Sequence, residues 1–112
     1  MKKIEATIRR ERLEAVKEAL EQIGILGMTV TEVSGRGRQS GITLQWRVGQ
    51  YKVDLLPKVK IEMVVLEEEV GRTVNTIVVN ARTGERGDGK IFVLPVDNAI
   101  RVRTGESGHN AI

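Results

Sequence analysis

Hydrophobic periodicity switches in a fixed order along this chain, between a repeat of two and a repeat near 3.6. That order restricts the fold more than any other feature. Ile4, Ala6 and Ile8 alternate with Lys3, Glu5, Thr7 and Arg9, the pattern of a half-buried strand. Leu13, Val16, Leu20 and Ile23 then recur at helical spacing, with Ala15 and Ala19 beside them. Glu11, Glu14, Lys17, Glu18 and Glu21 supply the wet face, and Gly24 is the predicted stop. Met28 to Val33 alternates again and is rich in β-branched residues, a second strand. Val59, Ile61, Met63 and Val65, alternating with Lys60 and Glu62, make a third. Glu67, Glu68 and Glu69 open a second helix, at the end where the dipole favours acidic groups. Val70, Val74, Ile77, Val78 and Ala81 form its apolar stripe, and Gly84 is its predicted end. A fourth strand runs from Lys90 to Val96. Ile100 to Arg103 alternates once more, and the polar tail from Gly105 is expected to be mobile.

The order strand, helix, strand, strand, helix, strand is the ferredoxin-like α+β pattern, βαββαβ, an antiparallel sheet with two helices on one face. The helices should cover the face bearing Ile4, Ile8, Ile61 and Met63. The other face carries Lys3, Glu5, Lys60 and Glu62, but also Val33 and Val64. Mixed charge and apolar surface there predicts packing against copies of itself, with opposite charges paired across strands. The 112 residues make one domain, 1–112. A domain this small buries a modest share of its surface, so assembly would help it. Between Gly35 and Lys58 the pattern breaks, with Gly35, Gly37, Gly41 and Gly49 among Arg36, Arg38, Gln39, Arg47 and Lys52. This reads as a loop of about 17 residues, longer than the ~12–15 usual in compact domains, with brief pairing over Thr43 to Val48 left open.

Several function classes drop out. There is no cysteine, so disulfides, thiolate metal sites and a thiol nucleophile are excluded. The one histidine, His109, lies in the tail, where no Ser/His/Asp arrangement can be built around it. Glu67 and Glu68 belong to a helix start. No catalytic site of the chain's own is expected. Met1 to Ala6 has no apolar signal core, and no apolar run approaches the ~18 residues of a membrane span. A cytoplasmic protein with no direct membrane insertion is expected. Net charge is +3, from 18 basic and 15 acidic residues mixed along the chain, which gives no clustered basic face for nucleic acid. An RRM-like RNA-binding module shares the topology, but it needs sheet-face aromatics, and Phe92 alone lies on a predicted strand.

Glycines and cations mark the candidate sites. Gly84 to Lys90 nearly matches a P-loop, but Ile91 replaces the Ser or Thr that holds magnesium. A helix also leads in and a strand leads out, the reverse of the P-loop order. Two readings survive: a backbone anion nest helped by Arg86 and Lys90, or a flexible turn with solvated charges. Gly35-Arg36-Gly37-Arg38-Gln39 begins like a dinucleotide fingerprint without the helix that must follow; its arginines either grip phosphates or decorate a loop tip. Arg101 and Arg103, two apart, point the same way if the segment is extended, and would repel unless an anion or a carboxylate sits between them. Lys58, at the mouth of the third strand, could meet a carboxylate ligand or be a solvated strand-end lysine.

Taken together, these segments resemble the PII nitrogen regulatory signal-transduction protein family, almost end to end. Gly27 to Val33 is similar to its second strand. Gly37-Arg38-Gln39 with Gly41 is similar to the base of its large T-loop, here about 37–55. Leu56-Pro57-Lys58-Val59-Lys60-Ile61-Glu62 is similar to the strand after it. Thr83 to Val93 matches its B-loop, about 82–90, and Ile100 to Glu106 its C-terminal segment, about 101–112. The resemblance implies a homotrimer with ATP or ADP between subunits. By that likeness Gly87, Asp88, Gly89 and Lys90 would cradle phosphates, Gly37 and Arg38 would add contacts, and Arg101 and Arg103 would reach the phosphates from one side of the cleft. Thr29, Glu62, Met63 and Val64 would surround the adenine. Gln39 would ligate a Mg2+ ion bridging ATP and 2-oxoglutarate. Lys58 would pair with a carboxylate of 2-oxoglutarate, and Gly41 would lie beside that ligand. Targets would be an ammonium channel or nitrogen-metabolism enzymes.

The departures fall mainly in the partner-reading loop. Trp46-Arg47-Val48-Gly49-Gln50-Tyr51 stands where the family commonly has Tyr-Arg-Gly-Ala/Ser-Glu-Tyr. Tyr51 occupies the place of a tyrosine that many bacterial members have uridylylated, and Gly49 the place of a serine phosphorylated in some. Ser40 replaces the usual lysine, and Arg10-Glu11-Arg12-Leu13 replaces Pro-Phe-Lys-Leu. A divergent member sensing adenine nucleotide alone, with another target, is the alternative.

Overall fold

The computed structural model describes residues 1–36, 42–46, 49–53 and 55–112, with the backbone alone over 42–46 and 49–53. The elements are β1 (Lys2–Ile8), α1 (Leu13–Gln22), β2 (Thr29–Gly35), β3 (Ile42–Trp46), β4 (Gly49–Val53), β5 (Leu56–Val65), α2 (Val70–Ala81) and β6 (Gly89–Pro95). Short 3-10 turns at Arg10–Arg12, Glu67–Glu69 and Gly108–Ala111 complete them. The main sheet has the order β2-β5-β1-β6 and is antiparallel throughout, the expected ferredoxin-like arrangement. The stretch read as a loop contains a separate two-stranded sheet, β3 against β4, with Leu44 opposite Tyr51. Thr43 to Trp46 does pair, in register with Gly49 to Lys52.

Strand alternation decides which side chains meet the helices. Ile4, Ala6 and Ile8 of β1 and Val59, Ile61, Met63 and Val65 of β5 are all buried, beneath Val16 and Leu20 of α1 and Ile77 and Ala81 of α2. Thr73 is buried too, and lies outside the apolar stripe read from sequence. Its hydroxyl donates to the Glu69 carbonyl at 2.8 Å, which satisfies the polar group inside the helix and permits its burial. α1 ends in a Schellman motif: Ile25 N–H bonds Leu20 C=O (2.9 Å) and Gly24 N–H bonds Glu21 C=O (3.0 Å). Gly24 takes φ +87°, a conformation that favours glycine.

The opposite face is the mixed one. Glu5 stands directly across from Glu62, a repulsive pair, and Lys60 Nζ lies 3.6 Å from Glu5 and 3.3 Å from Glu62. Lys3 lies 3.7 Å from Glu62. The cations thus offset two carboxylates that strand register forces together. Phe92 and Leu94 of β6 lie on this same face, opposite Glu5 and Lys3, and are exposed. Among the described residues no helix is long and apolar enough to cross a membrane.

Candidate functional site

The loop between α2 and β6 is built around one carboxylate. Asp88 accepts the N–H groups of Thr83 and Gly84, each at 2.9 Å, the hydroxyl of Thr83, and Nε of Arg9 at 3.0 Å. These bonds explain why α2 ends at Ala81 rather than at Gly84. The N–H groups of Thr83 and Gly84 turn to Asp88, while Arg82 takes extended backbone and still bonds Val78 C=O at 3.1 Å. The Thr83 hydroxyl and then Arg9 hold the Asp88 carboxyl well below the usual carboxylate range. Its side chain is therefore a brace of the loop, and only its backbone is available to an anion.

Two cations hold the loop's carbonyls. Arg9 Nη2 donates to Arg86 C=O at 2.5 Å, and Lys58 Nζ donates to Gly87 C=O. Burial pushes the Lys58 ammonium down from its ordinary value, and neighbouring Arg9 adds to this, while Glu11 and Asp88 oppose it. Gly89 starts β6 in close contact with β1. A Cβ there would stand 1.8 Å from the Thr7 carbonyl oxygen, and its φ is +111°. Glycine is thus required at the point where the loop enters the sheet.

The predicted site residues divide between two concavities. One, of about 820 Å3, is lined by residues 85–90, Lys58, Thr7, Gly35, Arg36 and Phe92, and so unites Lys58, Gly87, Asp88, Gly89 and Lys90. The other, of about 680 Å3, is lined by residues 24–29 and 62–66 together with Lys3, Glu69, His109, Ala111 and Ile112. It unites Thr29, Glu62, Met63 and Val64, although the Met63 side chain belongs to the core. Lys58 and Glu62–Val64 are four to six residues apart on β5, so the concavities lie at opposite ends of one strand, roughly 13–20 Å along it. Gly37, Arg38, Gln39 and Gly41, and the side chain of Tyr51, lie outside the described residues.

Arg101 and Arg103 line neither concavity. The extended segment expected for them is instead a turn: Gly105 N–H bonds Arg101 C=O at 2.7 Å, Arg101 N–H bonds Glu106 C=O at 2.8 Å, and Ile100 bridges Ser107. Strand alternation therefore does not align the two arginines. Arg101 lies 3.7 Å from Glu106, a carboxylate that offsets its charge. The tail expected to be mobile folds into the Gly108–Ala111 turn, anchored by Gly108 N–H on Ala99 C=O at 2.9 Å. Sequence reading placed Thr83 in the B-loop match and Arg9 at the end of the first strand, and gave neither a role in bracing the loop. No sequence signal points to Arg9: it follows β1, and only the pairing of Ile8 with Gly89 carries it toward Asp88.

The structure defines a ferredoxin-like α+β domain whose glycine-rich loop between α2 and β6 is braced by Arg9 and Lys58, with a second concavity at the other end of β5. The chain matches the family model described as Nitrogen regulatory protein P-II over residues 1–106. It is 60% identical to Nitrogen regulatory protein P-II 2 of Methanothermobacter thermautotrophicus, over all of this chain and 97% of that one. It is 59% identical to Nitrogen regulatory protein P-II 1 of the same organism, with the same coverage. Nitrogen regulatory protein P-II of Pasteurella multocida is 54% identical, with both chains fully covered. The chain belongs to the P-II family of nitrogen regulatory proteins.

Proposed function

We propose that this chain is a non-catalytic, cytoplasmic nitrogen-signalling regulator that senses ATP or ADP together with 2-oxoglutarate as a homotrimer. The observation that carries the reading is the division of the expected nucleotide residues between the two ends of β5. The phosphate-type half (Gly87 to Lys90) and the adenine-type half (Thr29, Glu62, Val64) come together when the concavity of one copy faces the other concavity of a second. Exposed apolar groups support such assembly: Phe92 is 56% and Val102 99% exposed, the latter between Arg101 and Arg103. In this reading those arginines, with Gly37 and Arg38, complete the phosphate site across the subunit boundary. Several charge-assisted bonds of about 1.5–3 kcal/mol each to one polyphosphate are consistent with micromolar affinity.

Lys58 and the glycine loop suit anions, so the donor chemistry fits both a phosphate chain and a dicarboxylate. Magnesium would be held by Gln39 and the ligands' own oxygens, and it would neutralise charge between ATP and 2-oxoglutarate. Effectors would act at the base of 37–55, and the β3–β4 hairpin within it would meet the target protein. Coupling of about 1–3 kcal/mol changes target occupancy 5–150-fold. Targets would be an ammonium channel or nitrogen-metabolism enzymes, with Tyr51 as a possible uridylylation point. A second reading, a member sensing nucleotide alone, draws on Lys58 itself, whose ammonium already gives one of its three donors to Gly87 C=O and so serves the loop with no carboxylate ligand.

Native mass spectrometry with added ADP tests the reading. A trimer binding up to three ADP is expected; a monomer that binds ADP fully, or a trimer with no nucleotide, would overturn it.

A further inference from the structure

The segment joining β1 to α1 has no part in the reading above, yet it reaches the glycine loop from behind. β1 ends at Ile8 opposite Gly89, which brings Arg9 to Asp88. Its Nε donates to Asp88 Oδ1 at 3.0 Å and its Nη2 to Arg86 C=O at 2.5 Å. One guanidinium thus spans the loop, and its rigid fork fixes both bonds together. Glu11 lies 3.8 Å from Nη1, a third partner of the guanidinium.

The consequence follows from peptide geometry. Peptides among the described residues are trans, and a trans peptide directs its C=O and N–H oppositely. Holding Arg86 C=O on Arg9 turns the Gly87 N–H away from that cation. Holding Gly87 C=O on Lys58 does the same for the Asp88 N–H. Successive amides released from inward bonding are what a backbone anion nest consists of. Arg9 also offsets the charge of Asp88, a carboxylate that would otherwise repel a phosphate arriving at these amides.

We propose that Arg9 is a positioning residue for phosphate binding, one that sets the loop backbone and cancels the Asp88 charge before ligand arrives, without touching the ligand. The proposal rests on the nucleotide reading of this loop. It is tested on the full chain with Arg9→Met, Arg9→Lys and Asp88→Asn. Two readouts are needed: calorimetric titration with ADP and with adenosine, and amide exchange over residues 84–90 without nucleotide. Arg9→Met should weaken ADP about tenfold, equal to about 1.4 kcal/mol. It should leave adenosine within about twofold, since only the phosphate end loses its support, and speed exchange of the ligand-free loop at Gly84 and Glu85, whose amides are bonded to Asp88 and to the Thr83 hydroxyl that Asp88 holds. Arg9→Lys should recover part of the ADP affinity, because a lysine keeps the charge without the fork. Asp88→Asn should weaken ADP less in the Arg9→Met background than alone, as for residues that act together.

Equal weakening of ADP and adenosine would overturn the proposal, by showing general damage. Weak ADP binding with unchanged loop exchange would overturn it too, by placing Arg9 on the ligand itself. Wild-type protein that fails to bind ADP would sink the nucleotide reading before any variant is made. Unchanged exchange in Arg9→Met would sink the positioning role whatever the wild type binds.

Discussion

Replacing Gly89 with alanine places a Cβ 1.8 Å from the Thr7 carbonyl oxygen, 2.9 Å from its carbonyl carbon and 3.2 Å from Ile8 Cα. Each of these is backbone of β1, an interior strand paired on both sides, with Ile8 in the core. No side chain can swing aside, so one strand must shift by about 1 Å or more to restore normal contact. Overpacking of this kind costs about 1–3 kcal/mol. The φ of +111° adds backbone strain of about 1–3 kcal/mol for a residue with a Cβ. Gly24 separates the two effects: its φ is +87°, and nothing lies within 4 Å of a Cβ built there. Gly24→Ala should therefore show the strain alone, and Gly89→Ala the strain plus the contact. In urea unfolding at fixed protein concentration, with m of about 1–3 kcal/mol/M, Gly89→Ala should melt roughly 0.3–3 M earlier than Gly24→Ala. Coincident midpoints for the two variants would refute the close approach of β6 to β1.

Other consequences are checked with simple measurements. Leu20→Ala and Ile77→Ala remove fully buried side chains and should each cost about 2–5 kcal/mol in the same unfolding assay, while Val79→Ala, exposed on α2, should lie within about 0.5 kcal/mol of wild type. Asp88 has its folded-state pKa depressed below the ordinary 3.8, so its stabilisation is fully present above that value and is lost as pH falls through the depressed pKa. Asp88→Asn should thus be destabilised at neutral pH, and its deficit should shrink in acid; a deficit independent of pH down to strong acid would contradict the assignment. Phe92→Asp places a charge on the open sheet face beside Glu5 and should shift sedimentation toward the monomer while far-ultraviolet circular dichroism keeps the fold. An unchanged sedimentation profile would remove that face from the assembly.

The main sheet and both helices were legible because burial on one side imposes a period of two or 3.6, and Ile4, Ile8, Ile61 and Ile77 show it without interruption. β3 and β4 were harder: Ile42, Leu44 and Trp46 do alternate with Thr43 and Gln45, but the run is only five residues long and sits among glycines and cations that read as loop. The turn at residues 102–104 was misread for the opposite reason. Ile100, Arg101, Val102 and Arg103 alternate well, but Val102 is almost wholly exposed and the segment joins no sheet, so local pattern alone did not make it a strand. At the site, glycine spacing and Lys58 were visible. The brace from Arg9 to Asp88 was not, because it spans 79 residues of sequence and follows only once β1 is paired with β6. The division of the residues expected to meet nucleotide between two ends of β5 likewise needs the strand's length and direction, which no motif encodes.

The central claim is that this P-II family member couples adenine nucleotide to 2-oxoglutarate, and calorimetric titration with 2-oxoglutarate, with and without Mg-ATP, tests it most directly. The account predicts saturable 2-oxoglutarate binding that appears only when Mg-ATP is present. Binding of ATP with no 2-oxoglutarate response under either condition would contradict it, and would leave a sensor of nucleotide alone.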